Sequence, residues 1–136
     1  MELTLIKNDD QAKINIYRLA RAIYAETHAG SLAAVEGLTS MVRNLCSKYE
    51  RPVSDVAVDS DVFECLNRES ARYKDMFVSS ADPKFQMCLR TVKRMMTGYL
   101  PDSVHGAVRF HRIDQSPDWA LHIGYIAEID DLTFYL

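Results

Sequence analysis

The spacing of apolar residues changes character near Pro101, and that change limits the folds open to this chain. Upstream, Ile16, Leu19 and Ile23 are three or four residues apart, as are Val35, Leu38, Val42 and Leu45, and again Phe85, Leu89, Val92 and Met96. That is the repeat of one buried helical face. Downstream, GAVRFHR sets Val108 and Phe110 against Arg109 and His111, while HIGYIAEI and LTFYL carry β-branched and aromatic strand residues. Helices first and strands last, with no internal repeat, low-complexity tract or linker, predict an α+β fold with the two classes segregated. At 136 residues, the chain reads as one small domain over 1–136, long enough to bury a core without staples.

Local punctuation sets the expected boundaries. The first helix is predicted to start at Asp9 or Asp10, which cap it, and to run to Glu26 before Thr27, His28, Ala29 and Gly30 break it. Ser31 caps the second helix. A short helix is expected over Asp55–Val58, followed by an irregular segment, DSDVFECLNRES, of the kind in which binding residues often sit. The third main helix has Asp82 as its N-cap, Pro83 in its first turn and Gly98 beyond its end.

Charge and composition exclude several function classes. A net charge of −3 and a pI near 5.8 give no broad positive field for nucleic acid. No stretch has transmembrane length, and the N-terminal MELTLIKNDD lacks the basic start and apolar run of a secretory signal. The expectation is synthesis in the cytoplasm without a signal peptide. Cys46, Cys65 and Cys88 form no CxxC pair and read as buried free thiols. His105, His111 and His122 have no zinc-ligand spacing, so neither a metal nor another cofactor is predicted.

Glu26 interrupts this ordinary pattern. The stripe Ile16, Leu19, Ile23 continues onto it, placing a carboxylate where an apolar side chain is due. At the negative end of a helix and beside an apolar face, a carboxylic acid tends to keep its proton, as a general acid must. A structural role is equally open: Glu26 accepts hydrogen bonds from a loop or pairs with Arg21 or Arg43.

The segments around it, taken in order, resemble a known family. LARAIYAETHAGS and the helix LAAVEGLTSMVRNL resemble the opening of SleB-type cell-wall hydrolases, roughly L-A-R-x-I-x-x-E-A-R-G-E-S and an apolar helix ending V-x-N-R-V. DVFECLN resembles their F-S-C-W-N segment. DPKFQMCLRTVKRMMTGYLPDSVHGAVRFHR resembles their D-P helix, Gly stop and G-A-x-x-F-H strand, and PDWALHIGYIAEIDDLTFYL their P-x-W and terminal F-Y. The ordered similarity covers roughly residues 17 to 135. The chain departs from it where the second Glu falls on Gly30, the Arg-Gly on His28-Ala29 and the Trp on Leu66.

The resemblance implies a lysozyme-like helical part followed by a short antiparallel sheet. It further implies a peptidoglycan hydrolase that cuts between N-acetylmuramic acid and N-acetylglucosamine, with Glu26 as the single catalytic acid of a lytic transglycosylase. If water is the nucleophile instead, the enzyme is a muramidase, and Glu64, Glu69 or Asp61 are candidates for a second carboxylate. Tyr24, Glu64, Phe110, His111, Trp119 and Tyr125 are the substrate-binding candidates, since rings offer a stacking face and polar tips hydrogen bonds. The expected partner is the glycan strand of the cell wall, in a setting analogous to phage or prophage lysis enzymes. The departures favour a second function class, an idle peptidoglycan-binding or protein-interaction module of the same fold.

Overall fold

The computed structural model describes the backbone from Glu2 to Leu136 and the side chains from Gln11 onward. Helix α1 spans Glu2–Thr27, α2 Leu32–Tyr49, α3 Val53–Val56 and α4 Pro83–Met96. Strands β1 (Arg109–Arg112), β2 (Tyr125–Ile129) and β3 (Leu132–Tyr135) follow, and short 3₁₀ turns occupy Glu64–Leu66, Tyr73–Phe77 and Asp118–Leu121. The expected α+β division, helices first and antiparallel sheet last, is the observed one.

The helix faces read from the sequence are the buried ones. Leu19 and Ile23 of α1, Val35, Leu38, Val42 and Leu45 of α2, and Phe85, Leu89 and Val92 of α4 all enter one core. Two predicted caps are in place. Ser31 Oγ accepts from the Ala34 amide at 3.1 Å, and Asp82 Oδ1 accepts from Lys84 and Phe85 amides at 2.8 and 3.1 Å. The last face residue of α4 is Met95 rather than Met96, which is 41% exposed, because the stripe steps by three from Val92 and not by four.

Other boundaries differ from expectation. Helix α1 already covers residues upstream of Asp9 and Asp10; Glu, Leu and Lys there are good helix formers, and the side chains that would test a cap lie outside the described residues. Helix α3 begins directly after Pro52, two residues earlier than expected. At the α1–α2 corner the left-handed residues are His28 (φ 52°) and Ala29 (φ 50°), not Gly30. A Cβ on Gly30 would lie 3.6 Å from the Thr27 carbonyl, an ordinary contact, so the backbone does not require glycine there.

In the sheet, β3 lies between β1 and β2, pairing antiparallel with both; Phe110 faces Phe134, Arg112 faces Leu132 and Glu128 faces Thr133. All four β3 residues are buried, as a short continuous apolar run in a central strand should be. Helix α2 comes close to this sheet at Gly37, where a Cβ would sit 2.9 Å from Ile129 Cδ1. Farther along α2, Met41, Leu45 and Tyr49 line a cavity together with Arg109 and Phe110 of β1. Among the described residues, no helix is long and apolar enough to cross a membrane.

The α4 cap gives a direct stability test. Asp82→Ala leaves two first-turn amides without their acceptor and should cost about 1 kcal/mol, whereas Asp82→Asn keeps most of it. Urea unfolding followed by circular dichroism measures both, and equal losses for Ala and Asn would contradict the cap.

Candidate active site

Glu26 sits in the last turn of α1 with its side chain wholly buried. Its Oε2 accepts from the Cys65 amide at 3.0 Å, in the 3₁₀ turn Glu64–Leu66. Its Oε1 accepts from Arg112 Nη1 of β1 in a buried ion pair. The candidate structural partners Arg21 and Arg43 are engaged elsewhere, Arg21 with the Met76 and Val78 carbonyls and Arg43 with the Leu100 carbonyl. The structural alternative is met in its kind but not in its partner: Glu26 accepts from a loop amide and pairs with an arginine, Arg112 rather than Arg21 or Arg43. The carboxylate meets a guanidinium, which also occupies the inward position two residues along β1 from Phe110.

Arg112 ties two carboxylates together. Its Nη2 donates to Glu64 Oε2 at 2.6 Å, and Nε lies 3.6 Å from Asp114 Oδ1, too far for a hydrogen bond. Glu64 has two further donors, Gln115 Nε2 at 2.5 Å to the same oxygen and Ser70 Oγ at 2.8 Å to Oε1. Partial burial pulls the Glu64 carboxyl upward, but the Ser70 hydroxyl and the Arg112 guanidinium outweigh it and hold the group below its ordinary value of 4.5. The Cys65 thiol is pushed far up by burial and by neighbouring Glu26, so it is not a nucleophile at neutral pH. Arg72 Nη1 donates to the Ala25 carbonyl at 3.1 Å, placing a cation at the negative end of α1.

Above this floor runs a groove in three adjoining compartments. The middle one, about 400 Å³, is lined by Glu64, Arg112, Gln115, Phe110, His111 and Trp119 among others. On one side a compartment of about 500 Å³ shares Phe110 and Trp119 with it; on the other, one of about 620 Å³ shares Glu64, Arg112 and Gln115 and reaches His28, Lys74 and Asp75. The structure thus brings four of the six substrate-binding candidates, Glu64, Phe110, His111 and Trp119, to one compartment. Tyr24 and Tyr125 lie outside these compartments. Tyr24 is half-buried on α1, its hydroxyl pushed up by burial and by Asp82 and Asp75; Tyr125 is exposed and edge-on to Tyr135. Of the other acids, Asp61 lines the middle compartment, Glu69 is exposed, and Glu36 pairs with Arg94 at 2.7 Å.

His111 serves the groove wall through its neighbours. Nδ1 lies 2.9 Å from the Arg112 carbonyl, which only accepts, so Nδ1 carries the hydrogen. In the neutral ring, Nε2 then accepts from the Tyr135 hydroxyl at 2.9 Å. His111 also stacks on Tyr135, and both meet Trp119 edge-on, which fixes the tryptophan at the groove rim.

With this geometry the comparisons can be read. The fold is similar to a solved structure, the catalytic domain of the germination-specific lytic transglycosylase SleB from Bacillus anthracis, with a TM-score of 0.70 and 15% sequence identity, over 90% of this chain and 93% of that one. No family model matches the chain, and no curated protein does. At that identity the likeness shows the fold alone.

The sequence reading missed Arg112, Ser70, Arg72 and Gln115. Arg112 alone had a signal: a charge at an inward-facing strand position, the counterpart of Glu26 on its helical stripe.

Two outcomes follow from the ion-pair network. Arg112→Ala leaves the buried Glu26 without a counter-charge and should cost about 3–5 kcal/mol, while Glu26→Gln combined with Arg112→Met should recover much of it; urea unfolding measures both, and a loss below about 1 kcal/mol for the single variant would argue against a dry pair. Because the folded Glu64 binds its proton at lower pH than the unfolded chain, its stabilisation is complete above pH 4.5 and is lost as pH falls through the folded value. Glu64→Gln should accordingly show a shallower loss of stability below pH 4.5 than the unaltered protein.

Proposed function

We propose that the protein cleaves the glycan strand of peptidoglycan between N-acetylmuramic acid and N-acetylglucosamine, as a lytic transglycosylase with Glu26 as its single catalytic acid. The observation that carries this reading is a buried carboxylate at the end of α1, paired with Arg112, which itself lines a groove walled by Glu64, Phe110, His111 and Trp119. The similarity in fold to a lytic transglycosylase catalytic domain supports it.

The chemistry starts with release of Glu26 from Arg112. Glu64 already holds the other end of the guanidinium, and Asp114 lies beside its Nε, so Arg112 has acidic partners away from Glu26. As general acid, Glu26 must bring a proton to the step. Glu26 then donates that proton to the glycosidic oxygen as the bond to the muramic sugar breaks, and positive charge develops on that sugar's anomeric carbon. The carboxylate left behind removes the proton from the sugar's own 6-hydroxyl, whose oxygen closes the 1,6-anhydro ring. Acid and base are one residue, and no water is consumed.

A second reading, a binding module without cleavage, is favoured by one observation: both oxygens of Glu26 are engaged, and its side chain is fully covered. Mass spectrometry of fragments released from purified peptidoglycan separates the readings. The unaltered protein should release anhydro-muramic ends, and Glu26→Gln should lower the rate by at least about a hundredfold. Reducing ends would indicate a muramidase and direct attention to Glu64. Sedimentation of folded protein with peptidoglycan, without release of fragments, would support the binding module.

A further inference from the structure

Arg21 ties a surface segment to α1. Its Nη1 donates to the Met76 and Val78 carbonyls at 3.0 and 2.7 Å, and its guanidinium lies 5.0 Å over the Phe85 ring. The 3₁₀ turn Tyr73–Phe77 is thereby held against the helix, and beside the tie opens a cavity of about 520 Å³. This volume lies in the range of small-molecule sites, on the order of 300–1,000 Å³. The cavity shares no lining residue with the three compartments of the groove. Its walls are apolar and reach solvent: Val58 is 55% exposed and Phe77 69%, while Leu66, Met76 and Val78 are half-buried. Phe77 is held in place, since the Tyr73 ring meets it edge-on with 5.3 Å between centroids.

Two features narrow what can occupy it. Apart from Arg18 and Arg21, the lining side chains carry no nitrogen or oxygen, and the Met76 and Val78 carbonyls are already bonded to Arg21. A sugar or an extended peptide would therefore leave its own polar groups unpaired against these walls, which is costly. The charge is one-sided. Among the described residues, Arg18 and Arg21 are the charged members of the lining, no carboxylate joins them, and Arg18 has no ion-pair partner. An apolar body with a single anionic group complements such a surface.

We propose that this cavity binds one small amphiphile made of a single hydrocarbon chain and a carboxylate, of the medium-chain fatty acid class, with the chain against Val58, Leu66 and Phe77 and the carboxylate at Arg18. Burial against the apolar walls holds the chain, and the guanidinium meets the one group of the ligand that needs hydrogen bonds. The site does not depend on the peptidoglycan reading and is tested apart from it.

Isothermal titration calorimetry of the full chain with octanoate, kept below its micelle concentration, should show saturable binding of one molecule per chain. Phe77→Ser removes the most exposed wall and should weaken binding about tenfold. Arg18→Ala should weaken it about fivefold and abolish the preference for octanoate over octan-1-ol, which a merely structural role would leave in place. Both side chains are exposed, and circular dichroism verifies that the variants fold. Arg21 stays unaltered because it holds the wall. No saturable heat from the unaltered protein at two temperatures, equal affinity in Phe77→Ser, or equal affinity for octan-1-ol and octanoate overturns the proposal. So does binding to phosphatidylglycerol vesicles that Phe77→Ser weakens while free octanoate fails to saturate, since that assigns the face to a membrane surface.

Discussion

One guanidinium joins the two halves of this molecule. Arg112, on the first strand, reaches Glu26 at the end of the first helix and Glu64 in the irregular segment between the helices. A buried carboxylate and a buried guanidinium are each costly alone, by several kcal/mol, and tolerable only together. The position of β1 relative to the end of α1 is thereby set by a charge pair. The groove exists because that junction leaves a channel above it. Its floor is ionic, its middle is lined by Phe110, His111 and Trp119, and its far wall is α2.

The helical face of α2 explains how the channel is shaped. Gly37 lets the helix lie close to Ile129 and Phe134, while larger residues toward its C-terminal end, Met41, Leu45 and Tyr49, hold open the compartment beside Trp119. His111 contributes by orientation: its two ring nitrogens are used by the Arg112 carbonyl and Tyr135, and its ring supports the tryptophan. Groove surface and core thus share residues, and a change on one is felt by the other.

Helices and strands were legible in the sequence because their signal is periodic and local. The stripes on α1, α2 and α4 and the caps at Ser31 and Asp82 are spelled out within a few residues. Glu26 stood out for the same reason, as a break in a stripe. What it meets was not legible from its neighbourhood, since Arg112 is 86 residues away. Arg112 breaks the β1 alternation just as Glu26 breaks the α1 stripe, and the two irregularities explain each other. Gln115, Ser70 and Arg72 sit on turns and loops where polar residues are expected, so no pattern marked them. Tyr24 and Tyr125 line none of the three compartments, since aromatic type says nothing about which side of an element faces the groove, although Tyr24 meets His28, which lines one of them.

The span between Glu26 and Arg112 also bears on how the chain is made. Translation delivers Glu26 86 residues before Arg112. Until the strand arrives, Glu26 lacks the guanidinium that balances it, and a carboxylate buried alone costs several kcal/mol. The same residue pair that closes the floor of the groove makes the closing of that floor follow the synthesis of the helices.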